Sequence, residues 1–160
     1  MTQIVPFSPS HADGVVGVVL PIQREEFGIP VTLAGQPDLL DIPGFYQQGD
    51  GQFWVALDGG VVVGTIALRD IGDGAGALRK MFVAASHRGA AQGVAQRLLD
   101  TLLDWARARD MRRIWLGTTD RFLAAHRFYA RNGFEEVGMA ALPAAFPVMA
   151  VDTKFYTRVP

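Results

Sequence analysis

Apolar residues in the middle of the chain alternate or run together over strand-length stretches. Phe53–Leu57 and Val61–Leu68 flank Asp58–Gly60, an Asp-Gly-Gly turn typical of a β-hairpin. A Gly-rich turn then leads into Ala77–Val83, which we interpret as a third strand. These three segments predict an antiparallel meander.

From Gly93 onward the apolar positions change to helical spacing, with amide and charged side chains on the opposite face. Arg112–Thr118 follows as a buried strand. A second helix is predicted within Arg121–Phe134 and ends at Asn132-Gly133. Gly133 can adopt the left-handed conformation there, so that Phe134 folds back onto the last turn.

The two ends of the chain complete a mixed sheet. Gln3–Phe7 is predicted as an edge strand, and helical segments follow before Pro21 and within Gln36–Gly49, the second broken near Pro43. Phe134–Met139 and Ala150–Val159 close the chain as strands. The order βααβββαβαββ predicts an α/β (α+β) fold, a single domain over 1–160. Its sheet is mostly antiparallel, with one central parallel pair, and is flanked by helices.

The amino-acid composition excludes several classes of function. The 160 residues carry 15 Lys plus Arg and 16 Asp plus Glu, a net charge of -1, without the basic excess of a nucleic-acid-binding protein. The chain has no cysteine, which excludes a disulfide framework, a thiolate metal site and a cysteine-linked acyl-enzyme. The three histidines show no metal-ligand spacing, so we expect no metal.

The first residues lack the positive and apolar regions of a signal peptide. The apolar run Gly14–Ile22 is too short to span a bilayer. We therefore expect a cytoplasmic protein without a membrane partner.

The connection between the third strand and the following helix is built from residues with very small side chains. Open backbone amides there, next to the positive end of a helix dipole, form a site suited to a phosphate or pyrophosphate. A plain strand-to-helix turn has a similar composition, so the loop alone leaves both interpretations open. The candidate binding residues are Arg88, Gly89, Ala90, Ala91, Gln92, Gly93, Val94 and Ala95.

The stretch "RGAAQGVAQRLLDTLLDWARARDMRRIWLGTT…AAHRFYARNGF" resembles the acetyl-CoA-binding core of the GNAT family of N-acetyltransferases. The resemblance implies that the loop holds the pyrophosphate of coenzyme A. It also implies that the backbone at Phe82 and Val83 contacts the thioester and pantetheine arm, and that Tyr129 is the general acid. The loop departs from the usual family pattern: Ala90 stands where Gln or Arg is common, and the loop is two residues longer. Thr118–Asp120 occupies the region where the family often has an asparagine.

The roles of several side chains stay open at this point. Tyr129 is either the acid or a core aromatic residue, and His126, one helical turn earlier, is either a proton relay or a surface histidine. Arg88 either contacts phosphate or faces solvent. An acidic group in the helical region suits a cationic amine or forms a solvated face: Glu25, Glu26, Asp38 and Asp41.

No general base stands out. The third strand carries Arg79 and Lys80, which are poor bases at their ordinary pKa values, and Glu25, Glu26 and Asp70 have no strong claim. Of the acidic group, we take Glu25 and Glu26 as candidate acceptor-binding residues.

The resemblance implies an acetyl-CoA-dependent N-acetyltransferase that acts by direct transfer in a ternary complex. The acceptor is a primary amine, in a small molecule or at a peptide amino terminus, and a homodimer is compatible with the family. The alternative is a non-catalytic acyl-CoA sensor of the same fold. A different nucleotide-binding protein is disfavoured, because the common phosphate-loop and dinucleotide motifs are missing.

Overall fold

The computed structural model describes residues 2–160, and these form one mixed sheet around which the helices pack. The sheet has seven strands in the order β1-β2-β3-β4-β5-β7-β6. Its only parallel contact among the described residues is β4 with β5, which confirms the predicted architecture. The strands are β1 Thr2–Pro6, β2 Gln52–Asp58, β3 Val61–Gly72, β4 Ala75–Val83, β5 Arg113–Thr118, β6 Glu135–Val137 and β7 Lys154–Arg158.

In the described part of the chain, three α-helices precede the meander, two of them with only four residues each, and two α-helices follow it. Asp41 lies between the two four-residue helices, Pro37–Leu40 and Ile42–Phe45. Its carboxylate accepts a hydrogen bond from the Gly44 amide at 3.0 Å and so caps the second helix. None of the helices within residues 2–160 combines the length and apolarity needed to cross a membrane. The helices are α1 Ala12–Pro21 (continued by a π-helical turn, Ile22–Glu26), α2 Pro37–Leu40, α3 Ile42–Phe45, α4 Val94–Ala108 and α5 Leu123–Arg131.

The core occupies both faces of the sheet. On one face α4 buries its apolar side, including Leu98 and Leu102, against Ile66 and Leu68 of β3, and all four side chains are fully buried. On the opposite face α1, α2 and α3 cover β2 and β3. The same face of β5 and β7 is covered by the loop after β6 through Phe146.

The central pair of strands stays together only briefly. β4 and β5 pair at Ala75–Ala77 with Arg113–Trp115, and no further pairs join them among the described residues, although both strands continue. β4 also bulges against β3: Thr65 pairs with Phe82 but Ala67 pairs with Arg79, so Lys80 and Met81 share the space opposite Ile66. The two strands therefore part at the centre of the sheet.

We predict that Leu102→Ala lowers the free energy of unfolding by about 2–5 kcal/mol, because it leaves a cavity under α4 in the main core. Urea unfolding followed by circular dichroism measures the change. Leu123→Ala, at a side chain that is 61% exposed, is the control and should shift stability by less than about 0.5 kcal/mol. Equal effects of the two substitutions would contradict the packing described for α4.

Candidate active site

The loop between β4 and α4 presents backbone amides without internal partners. Gly93, at φ +67°, is the N-cap residue of α4 and offers no side-chain cap. The amides of Gly89, Ala90 and Ala91 donate to no acceptor in residues 2–160, and the same holds for the first-turn amides of α4. A side chain at Gly89 or Gly93 would meet no protein atom within 4 Å. The small residues predicted as an anion site thus provide open donors at a helix N-terminus, as pyrophosphate binding requires.

Arg88 connects this loop to the helical region. Its two terminal nitrogens donate to Glu26 at 2.6 and 2.9 Å, and its Nε donates to the Val83 carbonyl at 2.8 Å. The hydrogen bond from Arg88 is the main cause of the lowered pKa of Glu26. Arg88, which is predicted to contact phosphate, and Glu26, which is predicted to bind the acceptor, therefore form an ion pair with each other. Both predicted roles stay predictions.

The open edge of β4 exposes backbone groups where the strand has parted from β5. Ala84 donates to the Val63 carbonyl at 2.8 Å, toward β3. Because strand amides alternate in direction, the Val83 amide points toward the β5 side and the Phe82 amide toward β3. The backbone at Phe82 and Val83 is predicted to contact the thioester and pantetheine arm. Of these two residues, only Val83 has an amide that points into the gap between β4 and β5. Phe82 instead packs its side chain on the α1 side.

Tyr129 lies on α5 in the main core, 5% exposed, between Phe128 and Phe134. Gly133 has φ +80° and Phe134 donates to the Tyr129 carbonyl at 3.1 Å, which confirms the predicted helix end. The Tyr129 hydroxyl has no hydrogen-bond partner in the described chain, whereas every fully buried side-chain oxygen or nitrogen there has one. The hydroxyl therefore reaches accessible space. Burial raises the pKa of Tyr129, so the phenol keeps its proton at neutral pH.

His126 is held by the backbone rather than free at the surface. Its Nε2 lies 2.8 Å from the Thr119 carbonyl, and its partly buried ring lies 6.1 Å from that of Tyr156. Because a carbonyl only accepts, Nε2 carries the proton and donates it. This bond fixes the segment that joins β5 to α5.

A buried charge cluster lies on the α1 side of the gap. Asp38 on α2 is 4% exposed, so for this residue the solvated-face interpretation is wrong. It accepts a hydrogen bond from the Tyr46 hydroxyl at 2.6 Å and lies 3.3 Å from Lys80 Nζ. Arg79 approaches the same carboxylate oxygen at 4.0 Å. The two cations of β4 thus lie beside Oδ2 of a single carboxylate.

Lys80 occupies an unusual backbone position. Its φ is +52°, a left-handed conformation uncommon for residues other than glycine, and its carbonyl accepts from Thr65 Oγ1 at 2.6 Å. Its Nζ donates to Gln36 Oε1 at 2.7 Å, and Gln36 in turn pairs with Gln23. Burial lowers the pKa of Lys80, although Asp38 acts in the opposite direction. The bulge that creates this position has no clear signal in the sequence.

The remaining acidic candidates are not grouped into one site. Asp70 accepts from the Asp50 and Gly72 amides, both at 2.9 Å, and so stabilises two turns. Asp41 caps α3, and Glu25 is exposed on the π-helical turn. No cluster of three or more potential metal ligands occurs within residues 2–160.

Comparison with known proteins agrees with this arrangement. The model of the acetyltransferase (GNAT) family matches residues 19–134. N-acetylaspartate synthetase of Xenopus tropicalis is 38% identical over 104 residues, 64% of this chain and 38% of that protein. N-acetyltransferase 8F1 of Rattus norvegicus is 31% identical over 137 residues, 76% of this chain and 61% of that protein. The chain thus spans less than two thirds of the length of these relatives.

Two solved structures are similar over nearly the whole chain. An acetyltransferase of the GNAT family from Staphylococcus aureus Mu50 has a TM-score of 0.94 at 35% identity and covers 99% of both chains. An acetyltransferase from Streptococcus agalactiae has a TM-score of 0.93 at 29% identity over 99% of this chain and 98% of that one. The resemblance found in the sequence is confirmed. The chain belongs to the acetyltransferase (GNAT) family.

Proposed function

We propose that this acetyltransferase transfers the acetyl group of acetyl-CoA directly to a primary amine, in a small molecule or at a peptide amino terminus. The observation that carries the proposal is the set of unpaired amides at Gly89, Ala90, Ala91 and the first turn of α4, next to the open edge of β4. Donors for a pyrophosphate and a gap for a thioester arm thus adjoin each other. The relatives named N-acetylaspartate synthetase and N-acetyltransferase 8F1 support the amine acceptor.

The loop and α4 supply the binding contacts for the cosubstrate. Gly89 and Gly93 let phosphate oxygens approach the backbone, and the helix dipole favours their negative charge. The exposed side chains of Ala90, Ala91 and Gln92 carry no negative charge, and Val94 and Ala95 present first-turn amides. Acetyl-CoA supplies the activated acetyl group, and the protein orients it.

Two groups act on the charge that develops during transfer. The Val83 amide, on the open edge, donates to the thioester oxygen as negative charge builds there. The Tyr129 hydroxyl, protonated and without another partner, donates to the sulfur as the carbon–sulfur bond breaks. Because the chain has no cysteine, no cysteine-linked acyl-enzyme forms, and the amine attacks the thioester directly. A cytoplasmic location and a homodimer stay predictions.

We expect saturating acetyl-CoA to raise the melting temperature by several degrees, since ligand at about 100 times its dissociation constant adds about 2.7 kcal/mol. Gly93→Glu should abolish the shift, because it places bulk and negative charge in the loop. Gly59→Glu is a matched control: its φ is +57° and a side chain there also meets nothing within 4 Å. The shift in melting temperature is measured by differential scanning fluorimetry, with ATP and NAD as control ligands. A full shift in folded Gly93→Glu would contradict the loop assignment.

We expect Tyr129→Phe to lower kcat by about 100-fold with little change in the thermal shift produced by acetyl-CoA, because only the donated proton is lost. Thiol release with an amine panel measures kcat. Tyr156→Phe, which removes a hydroxyl from a ring 6.0 Å away, is the control and should keep kcat. An unchanged kcat in Tyr129→Phe would show that Tyr129 is not the general acid. Acetyl-CoA binding without turnover by the wild-type protein would favour the sensor alternative.

A further inference from the structure

The end of the loop between β6 and β7 crosses the gap between β4 and β5. In the register of the parallel pair, Ala77 lies opposite Trp115, so two residues further on Arg79 is level with Gly117. Met149 contacts Arg79 through its sulfur, 3.6 Å from the guanidinium, and its amide donates to Asp152 Oδ2 at 2.9 Å. Asp152 lies directly over Gly117 of β5. The loop thus places one carboxylate where the two strands have parted.

Gly117 is required for this placement. A Cβ atom there would lie 2.6 Å from Asp152 Oδ2 and 3.2 Å from Oδ1. Next to Asp152, Thr153 donates to the Thr118 carbonyl at 2.8 Å and accepts a bond from the Asp120 amide at 3.0 Å through Oγ1. The residue after Asp152 is therefore held to β5 and to the segment that follows it, while the Met149 amide holds the carboxylate itself.

One oxygen of this carboxylate is uncommitted. Oδ2 accepts from Met149, whereas Oδ1 has no hydrogen-bond or ion-pair partner within residues 2–160. No fully buried side-chain oxygen in that range lacks a partner, so Oδ1 of the partly buried Asp152 is accessible. An oriented acceptor atom beside the site of a reacting group is the geometry that a general base needs.

The charges around Asp152 come from several elements. From β4, Arg79 and Lys80 attract it without making an ion pair, and Asp38 on α2 lies behind them. Burial nevertheless raises the pKa of Asp152 above its ordinary value. On its own side, Lys154 is engaged with Glu136 at 3.2 Å. Asp120 lies on the segment after β5, where its carboxylate accepts from Thr119 Oγ1 at 3.3 Å.

We propose that Asp152 is the general base that removes the proton from the acceptor amine. This inference rests on the acetyltransferase function proposed above. The amine nitrogen bonds to the thioester carbon, the carbon–sulfur bond breaks, Asp152 Oδ1 takes the N–H proton and Tyr129 supplies a proton to the sulfur. Solvent then removes the proton from Asp152 and restores that of Tyr129, so amine and thioester give amide and thiol without net change in protons.

The other carboxylates on this side form ion pairs or bind turn amides, whereas Asp152 forms no ion pair within residues 2–160. Asp38 holds Tyr46 and Lys80, Glu26 holds Arg88, and Asp70 binds two turn amides. Asp152 combines a raised pKa, a free oxygen and a position over the parted strands.

The test is Asp152→Asn, in which the amide oxygen can still accept from Met149 while the base is lost. We expect kcat to fall by about 100-fold or more, with the KM for acetyl-CoA and its thermal shift unchanged. The wild-type kcat should fall as the pH drops through the raised pKa of Asp152, and this acid limb should be missing in the variant. Asp120→Asn is the matched control and should keep both kcat and the pH profile.

Three results would overturn the proposal. One is a kcat of Asp152→Asn within about threefold of wild type. The second is an acid limb that persists in that variant. The third is a loss of acetyl-CoA affinity that matches the loss of kcat, which would make Asp152 a structural residue. If the wild-type protein binds acetyl-CoA but acetylates no amine in the panel, the proposed function itself fails, and this inference fails with it.

Discussion

The rest of the site depends on the short contact between β4 and β5. Parallel pairing is held over only Ala75–Ala77 and Arg113–Trp115, after which neither strand satisfies the other's backbone groups. In a fully paired sheet those groups would be consumed by ladder hydrogen bonds. Because the strands part, the Val83 amide is available and the α4 loop opens toward the same end of β4. The gap also gives the loop after β6 a place to insert Asp152 from the opposite face.

The bulge in β4 has a second effect, on the charged residues beside the gap. It places Lys80 in a left-handed conformation, which costs roughly 1–3 kcal/mol for a residue other than glycine. The surroundings offset this cost: Thr65 holds the Lys80 carbonyl, while Gln36 and Asp38 hold its amine. Removing Asp38 would leave a buried cation without its nearest opposite charge. The cluster therefore keeps the α2 segment against the central strand.

The sequence was most informative where structure depends on neighbours in the chain. The periodicity of α4, its start after Gly93 and the end of α5 at Gly133 could all be predicted, because each follows from local spacing or from one glycine. Contacts between distant segments could not. Arg88 and Glu26 lie 62 residues apart, and nothing in either stretch indicates the other. The pattern "AVDTKFY" predicts a strand that includes Asp152, but β7 begins at Lys154, and only the fold brings Asp152 over Gly117.

The two ion pairs beside the site differ in their exposure to solvent. The side chains of Arg88 and Glu26 are 40% and 37% exposed, whereas those of Lys80 and Asp38 are 9% and 6% exposed. Dissolved salt screens exposed charges over a Debye length of about 8 Å at physiological ionic strength and penetrates buried pairs much less. Rising ionic strength therefore weakens the link between the α4 loop and the π-helical turn first. The attachment of α2 to the central strand persists, so the loop before α4 loosens in salt before the α2 segment does.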